Sequence, residues 1–141
     1  MALKLTVGQF MTRAPYTVGV DQSLSVAHRI MRDHDLRDLP VLASDKLVGL
    51  VSERDLTLVE ALRRLDIDKA TVDTAMQADP YRVAPGTPLV EVARCMAACR
   101  HGLAVVLDGD AVVGIFTTVD ALLALAFVID SDRTRARQAM L

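Results

Sequence analysis

Segments of helical periodicity alternate with short apolar runs, and the same order occurs twice along the chain. In each half, apolar residues three and four positions apart predict an amphipathic helix, and the two valine- and leucine-rich runs after it predict strands. The predicted helices are residues 24–34 and 89–99, and the predicted strand pairs are 39–42 with 47–51 and 103–107 with 111–116. A further helix closes each half. Each half is therefore predicted to be a β-α-β-β-α unit whose first strand is a brief extended piece, 16–18 or 81–83.

Turn and cap residues agree with these boundaries. Ser23 is a preferred N-cap for the first helix, and Pro88 suits the first position of its counterpart. Pro15 and Pro80 are predicted to end a short N-terminal helical turn, because the residue before a proline avoids the helical conformation. Residues 43–46 join the first strand pair, and the Asp-Gly-Asp sequence at 108–110 favours a tight hairpin in the second.

The two halves align without a gap at a constant offset of 65 residues. Identical pairs include Met11 with Met76, Pro15 with Pro80, Gly49 with Gly114 and Asp55 with Asp120. This self-similarity indicates a duplication, with predicted units at residues 3–65 and 71–129 and a polar C-terminal tail at 130–141. One unit buries too little apolar surface to fold alone. The predicted fold is therefore α/β (α+β), with two pseudo-two-fold-related units packed through their sheets.

The clearest local motif is G-x-x-[S/T]-x-x-D, which begins at Gly49 and again at Gly114. One interpretation is a capping box, in which Ser52 or Thr117 caps a helix and the aspartate three positions later reaches back to the N–H of the cap. The other is a nucleotide site, because free N–H groups at a helix start attract an anion and a carboxylate can bind both hydroxyls of a ribose. The motif alone leaves both interpretations open.

Composition and charge limit the kinds of molecule that the protein is expected to bind. The 141 residues are 52% hydrophobic and 4% aromatic and carry a net charge of −2, so the chain presents no basic field and nucleic acid is not an expected partner. The first residues show no basic region followed by a long apolar run. We therefore expect no secretory signal and a cytoplasmic location.

The longest apolar run, residues 121–129, is about half the length that a membrane span needs, so membrane insertion is not expected. A helix that is apolar on every face must be buried on every face, which a small domain rarely achieves alone. We expect this helix to be part core and part subunit interface in a homodimer.

The two cysteines, Cys95 and Cys99, lie four apart on a predicted helix, and His101 follows. Two thiolates at this spacing can share a metal, but no third and fourth ligand is evident in the sequence. They are interpreted as small apolar residues of a reduced core, and no metal site is predicted. His28 and His34 show no ligand or base pattern. The sequence contains no catalytic triad, HExxH or Walker motif, so no enzyme is predicted.

The order M-x-x-x-P-Y-x-V, then L-P-V-L, then D-K-L-V-G-L-V-S-E-R-D-L resembles the CBS (cystathionine β-synthase) domain. The second copy matches it nearly throughout, and the resemblance extends from about Val7 to Leu125. It implies a tandem pair known as a Bateman module, two of which commonly associate into a disc-like dimer. It also implies a regulatory role, with clefts between the repeats that bind AMP, ADP, ATP or S-adenosylmethionine and with no resident cofactor.

The resemblance implies two clefts, each with the S/T-x-x-D of one repeat and the base-contacting segments of the other. Implied for the first cleft are Thr117, Asp120, Tyr16, Thr17, Val18, Arg37 and Asp38. Implied for the second are Ser52, Asp55, Tyr81, Arg82, Val83, Gly102 and Leu103. The aspartates would bind the ribose, Ser52 and Thr117 the phosphate end, and the strands at the tyrosines would contact adenine through backbone groups. Arg37 and Arg54 are candidate phosphate cations, and a solvated surface charge is an equally good interpretation of each.

The two clefts are not equivalent, because Leu39-Pro40 becomes Ala104-Val105 and Arg54 becomes Val119 in the second repeat. The cleft at Thr117 and Asp120 is the favoured one. Two functions are predicted as alternatives. One is a stand-alone, energy-sensing regulatory module that signals to a separate protein, and the other is a ligand-free dimerisation scaffold. Retention of both hydroxyl residues and both aspartates favours the first, because a scaffold needs only the cap.

Overall fold

The predicted strand pairs and helices form, with two short additional strands. A computed structural model describes residues 4–140. The strands of the first half are β1 (Thr12–Arg13), β2 (Val18–Gly19), β3 (Asp38–Ala43) and β4 (Lys46–Ser52), and its helices are α1 (Leu24–Asp33) and α2 (Glu53–Arg63). The strands of the second half are β5 (Gln77–Ala78), β6 (Arg82–Val83), β7 (Leu103–Asp108) and β8 (Ala111–Thr117), and its helices are α3 (Leu89–Cys99) and α4 (Thr118–Ala139).

Both strand pairs are closed by two-residue turns that require left-handed backbone. Ser44 and Asp45 have φ of 49° and 64°, and Gly109 has φ of 61°. Such turns match the right-handed twist of a hairpin. A register irregularity follows at the same place in each copy, between Val41 and Leu42 and between Val106 and Leu107. The duplication is therefore visible in backbone detail as well as in sequence.

The short strands β1 and β5 belong to the sheet of the opposite repeat. One sheet has the order β1-β8-β7-β6 and the other β2-β3-β4-β5. Thr12 of β1 pairs with Ile115, and Gln77 of β5 pairs with Leu50, both antiparallel. The sequence analysis missed these strands and placed only a helical turn before Pro15 and Pro80. Two exposed residues give no apolar alternation, so nothing local marks them.

The glycine of the G-x-x-[S/T]-x-x-D motif lies beside the strand that each sheet receives from the opposite repeat, called here the exchanged strand. A Cβ on Gly49 would lie 2.7 Å from Met76 Sδ and 2.9 Å from the Gln77 carbonyl oxygen. At Gly114 the matching distances are 2.5 Å to Met11 Sδ and 2.9 Å to the Thr12 carbonyl oxygen. Only glycine admits a backbone this close. The glycine that begins both copies of the motif is thus required by packing, for a reason separate from the roles of the hydroxyl and the carboxylate.

The core has three parts, and the third joins the repeats. One cluster packs the first sheet against α1 and α2, with Leu24, Leu39 and Leu56 fully buried. A second packs the other sheet against α3 and α4 around Phe116. The third lies between the sheets and contains Leu47, Leu103, Val105 and Ile115, with Leu42, Leu50, Leu107 and Val112 at its margin. The predicted α+β fold, with two repeats packed through their sheets, is confirmed.

Several helix details differ from the sequence analysis. Pro88 is the N-cap of α3 rather than its first residue, whereas Ser23 caps α1 as predicted and accepts from Val26 N–H at 3.3 Å. The helix α1 ends at Asp33 rather than at the predicted residue 34, and His34 after it is exposed. Leu62 on α2 is 74% exposed. The helix α4 does not stop at the apolar run but continues through the polar residues to Ala139. No helix within residues 4–140 combines the length and hydropathy needed to cross a membrane.

The close packing of β5 against Gly49 can be tested by replacing this glycine with alanine, which adds one methyl group. We expect Gly49→Ala to lower the free energy of unfolding by about 1–3 kcal/mol, because the backbone of β5 must move away. Gly86→Ala is the matched control, since a Cβ there meets nothing within 4 Å. Urea denaturation of both variants and the parent measures the difference. Equal stability of the two variants would show that the exchanged strand does not need the glycine.

Candidate functional site

The two S/T-x-x-D motifs form complete capping boxes at the starts of α2 and α4. Asp55 N–H donates to Ser52 Oγ at 3.0 Å, and Ser52 N–H donates to Asp55 Oδ2 at 3.3 Å. Asp120 N–H donates to Thr117 Oγ1 at 3.2 Å, and Thr117 N–H donates to Asp120 Oδ2 at 2.9 Å. The capping interpretation is confirmed. The capping box uses only one oxygen of each carboxylate. Whether an aspartate can also bind a ligand therefore depends on the groups around its other oxygen.

Asp55 faces a cavity of about 280 Å³ between the repeats. The first repeat contributes residues from β3, β4 and the start of α2, and the second contributes the segment around β5 and the loop before β7. The lining residues are Asp38, Leu50, Ser52, Asp55, Gln77, Ala78, Asp79, Pro80, Tyr81, Arg100, His101, Gly102 and Leu103. Besides its cap, Asp55 accepts only one long contact among these, from Gln77 Nε2 at 3.5 Å. Its carboxylate is thus available to a ligand in the cavity.

Asp38 adds a second carboxylate to this cavity. The pairing of β3 with β4 sets Asp38 opposite Ser52, so its side chain lies on the Ser52 side. The sequence analysis had assigned it to the cleft at Thr117. Burial raises the pKa of Asp38, and the nearby charge of Asp55 raises it further. Asp79 also lines the cavity but is paired with Arg82 Nη1 at 3.8 Å, and Arg100 is the fixed positive charge among the lining residues.

The cleft expected around Thr117 is arranged differently, because Asp120 is already engaged. Asp120 is only 9% exposed. Thr12 Oγ1 on the exchanged strand β1 donates to its two carboxylate oxygens at 3.1 and 3.2 Å, and Thr117 Oγ1 donates at 3.1 Å. Gln77 is the equivalent of Thr12 in the other repeat, and it makes only the 3.5 Å contact to Asp55. The two carboxylates are related by the duplication but differ in availability.

Of the other residues implied for the two clefts, some line a cleft, some are buried in the core and some lie on the surface. Tyr81, Gly102 and Leu103 line the cavity with Ser52 and Asp55. Val18 and Val83 are buried in the two cores, and Thr17 is half-buried. Arg82 does not line the cavity itself: it donates to the carbonyl oxygen of Leu47 at 3.3 Å and lies 3.8 Å from the carboxylate of Asp79 at the cavity wall. Tyr16 is half exposed and stacks on His34 with ring centroids 3.7 Å apart.

Both candidate phosphate cations lie next to Ser52. Arg37 and Arg54 line an open surface depression of about 670 Å³ that also includes Asp38, Ser52, Glu53 and Thr57. Arg37 had been assigned to the cleft at Thr117. The reason for its position is the backbone, because Glu53 N–H at the start of α2 donates to the Arg37 carbonyl at 2.8 Å. Ser52 and Asp38 line both the cavity and the depression, so the two spaces are adjacent.

The sequence analysis missed the wall formed by Arg100 and His101. Arg100 follows α3 with φ of 57°, and this left-handed residue turns the chain so that His101 N–H donates to the Met96 carbonyl at 3.0 Å. His101 then stacks on Tyr81 with centroids 5.2 Å apart. Burial, and next a contact with the Cys95 thiol, raise the pKa of Tyr81 to about 12, so its phenol is a neutral donor at physiological pH. A non-glycine left-handed cap carries no clear sequence signal.

Comparison with known proteins identifies the same repeat. A family model described as "CBS domain" matches residues 7–65 and again residues 71–127. A CBS domain-containing protein of Dictyostelium discoideum is 28% identical over an alignment of 141 residues that covers 91% of this chain and 96% of that protein. The match therefore extends over nearly all of both chains.

Two solved structures share the complete architecture. A Vibrio cholerae protein named as an acetoin utilization protein (AcuB) has a TM-score of 0.83 at 29% identity, covering 94% of this chain and 98% of that one. The structure of CBSX2 in complex with AMP has a TM-score of 0.76 at 25% identity, covering 87% of this chain and 97% of that one. The second of these neighbours therefore binds an adenine nucleotide.

The position of Asp38 predicts how the stability of the folded protein changes with pH. Its folded pKa is raised above the ordinary value of 3.8, so the ionised form destabilises the fold above the raised pKa and the effect vanishes below 3.8. We expect the stability of Asp38→Asn relative to the parent to increase as the pH rises from about 3 to about 7. Urea denaturation at several pH values measures this. A difference between variant and parent that does not change with pH would contradict the assignment.

Proposed function

This chain belongs to the CBS domain family, and we propose that it is a regulatory module that binds an adenine nucleotide between its repeats and signals to a separate protein. The observation that carries the proposal is the 280 Å³ cavity in which Asp55 presents a carboxylate oxygen with no close partner among the residues that line it. A free carboxylate at this position is what the two hydroxyls of a ribose require. We propose no catalytic role for the chain.

The proposed pose follows from the neighbours of Asp55. The ribose is placed on Asp55, and the base is placed toward Tyr81 and Gly102, where backbone groups of the second repeat line the cavity. The phosphate end then points to Ser52 and the start of α2, whose dipole attracts an anion. Arg54 and Arg37 stand in the adjoining depression and complete the phosphate site.

The charge of the cavity indicates which of the possible ligands should bind most tightly. Asp38 and Asp55 repel additional negative charge. Asp79 is offset by Arg82 Nη1 at 3.8 Å, and Arg100 is the fixed cation among the residues that line the cavity. Because like charges at short range are unfavourable, each further phosphate weakens binding unless it reaches Arg37 and Arg54. We therefore propose AMP or S-adenosylmethionine as the preferred ligand, ahead of ADP and ATP. With AMP as ligand the module would sense cellular energy in the cytoplasm.

The cleft at Thr117 is proposed as a second and weaker site. A ribose can use Asp120 only after the Thr12 hydroxyl is displaced, since both carboxylate oxygens accept from it. Losing a hydrogen bond to a charged group costs about 1.5–3 kcal/mol, which is roughly a ten- to a hundredfold reduction in affinity. Occupancy of one cleft before the other is the expected behaviour.

We further propose that the module is a homodimer through α2 and α4. The exposed apolar side chains of these helices include Leu58 on α2 and Leu122, Leu123, Leu125, Phe127 and Ile129 on α4. Ala124 on the same helix is buried against the protein's own sheet, so α4 has one face in the core and the rest uncovered. Leu58 and Leu123 are equivalent positions of the two repeats, and an apolar surface of this extent is typical of an interface.

Ligand binding can be tested with Asp55→Ala. We expect its affinity for AMP, measured by calorimetry, to fall about ten- to a hundredfold, because a hydrogen bond to a charged group is lost. Stability should fall by up to about 1 kcal/mol, since a carboxylate leaves the first turn of α2, and circular dichroism checks that the protein is folded. The exposed turn residue Asp110, changed to alanine, is the matched control and should bind AMP as the parent does.

The alternatives are separate outcomes of the same titrations. If Asp120→Ala rather than Asp55→Ala abolishes AMP binding, the occupied cleft is the one at Thr117. If the folded parent binds none of AMP, ADP, ATP and S-adenosylmethionine, the ligand-free dimerisation scaffold replaces the nucleotide module.

The dimer can be tested by placing a charge on α4. We expect the parent to sediment as a dimer at tens of micromolar and Leu123→Glu as a monomer, because the glutamate would be desolvated in the interface. Ala111→Glu, at the exposed start of β8, introduces the same charge elsewhere and should remain dimeric. A monomeric parent at this concentration would refute the dimer.

A further inference from the structure

Three metal-ligating side chains converge beside the proposed nucleotide cavity, and one of them, His101, also lines it. The ligand atoms of Cys95, Cys99 and His101 all lie within 4.8 Å of one another. Within residues 4–140 this is the one group of three or more histidine, cysteine or acidic residues placed in this way. The sequence alone does not indicate a third ligand, because nothing local predicts that His101 folds back over the helix.

The fold brings these residues together by two local devices. Cys95 and Cys99 are four apart on α3, so their side chains project from the same face of the last two turns. The left-handed Arg100 then reverses the chain, and the bond from His101 N–H to the Met96 carbonyl fixes the return. His101 is held by its stacking on Tyr81, with ring centroids 5.2 Å apart. The cluster is therefore a product of the helix end and does not depend on loop flexibility.

Burial does not support the interpretation of the cysteines as core residues. Cys99 is exposed, His101 is exposed and Cys95 is half-buried. The fully buried residues of α3 are Val92 and Met96, which carry the packing. An exposed thiol beside a second thiol and an imidazole contributes little to the core. Binding one metal ion together is the simplest chemical role for all three side chains.

The distances suit a tetrahedral metal after a small adjustment. Zinc binds thiolate sulfur at about 2.3 Å and imidazole nitrogen at about 2.0–2.1 Å, which sets its ligand atoms about 3.4–3.8 Å apart. The longest of the present separations, at most 4.8 Å, therefore needs to close by up to about 1.0–1.4 Å. Rotation of the exposed Cys99 and His101 side chains can supply that movement, and the backbone positions need not change.

The donor set also selects the class of metal. Two sulfurs and one nitrogen favour zinc and other thiophilic ions over magnesium or calcium, which prefer oxygen. Two thiolates neutralise the charge of a divalent ion, and the carboxyl end of α3 carries the negative pole of the helix dipole. Arg100 opposes a cation here, so the site needs both thiolates to be favourable.

We propose that Cys95, Cys99 and His101 form a zinc site with a water molecule as the fourth ligand. On binding, the S–H bond of each cysteine breaks, two sulfur–zinc bonds form and the two protons pass to solvent. The imidazole binds as a neutral group through one ring nitrogen. No electron is transferred, so the step needs no oxidant or reductant.

The test uses the full chain, reduced and freed of metal, with cobalt(II) as a spectroscopic probe for zinc. We expect one equivalent of cobalt to produce thiolate-to-metal charge-transfer absorption and the visible bands of tetrahedral coordination, and zinc to displace it. Cys99→Ser should remove most of the charge-transfer absorption. His101→Asn should weaken zinc binding by about a hundredfold, at least as much as the loss of an outer-shell partner.

His34→Asn is the matched control. His34 also stacks on a tyrosine in the first repeat but belongs to no such cluster within residues 4–140. This variant should bind cobalt and zinc as the parent does, and circular dichroism confirms that every variant is folded. Zinc should also raise the melting temperature of the parent and of His34→Asn, and should not raise that of Cys99→Ser.

Three results would overturn the proposal. The first is a reduced parent protein that shows no charge-transfer absorption with equimolar cobalt. The second is absorption that persists unchanged in Cys99→Ser and His101→Asn. The third is loss of both free thiols before reduction together with no cobalt absorption after it, which would identify a disulfide pair instead. No nucleotide enters these measurements, so they can fail without affecting the proposed nucleotide site.

Discussion

The fold depends on the close approach of two exchanged strands to two glycines. Each four-stranded sheet takes three strands from one repeat and its fourth from the other, and the fourth strand pairs alongside Gly49 or Gly114 at close range. This exchange fixes the repeats against each other while the cluster around Val105 and Ile115 fills the space between the sheets. The cavity beside Asp55 lies along the same crossing, so its walls are set by the exchange.

The exchange also makes the two related clefts chemically unequal. The residue next to the motif aspartate comes from the crossing strand, and it is Thr12 in one cleft and Gln77 in the other. The short threonine hydroxyl meets both oxygens of Asp120, whereas the glutamine amide only approaches Asp55. Together with the Thr117 hydroxyl, which also donates to Asp120, this difference at equivalent positions leaves the Asp55 carboxylate as the more available of the two.

The parts of the structure that could be predicted are those with a local signal. The strands β3, β4, β7 and β8 follow from dense apolar runs, and the capping boxes follow from a spacing of three residues. The strands β1 and β5 could not be predicted, because each has two exposed residues and its partner lies far along the chain. The bond between Thr12 and Asp120 spans 108 positions, and the placement of His101 depends on the left-handed Arg100. Such features become visible only when tertiary structure brings distant segments together.

The shared strands also bear on how such a chain can arise. A single repeat would present an incomplete sheet edge together with a loose strand that fits the same edge on another copy. Two half-length chains could therefore complete each other and reproduce this architecture without a covalent link. Fusion of the two genes would then raise the effective concentration of the halves without requiring a new contact. In a fused chain the two halves can also differ in sequence, as Thr12 and Gln77 do at equivalent positions.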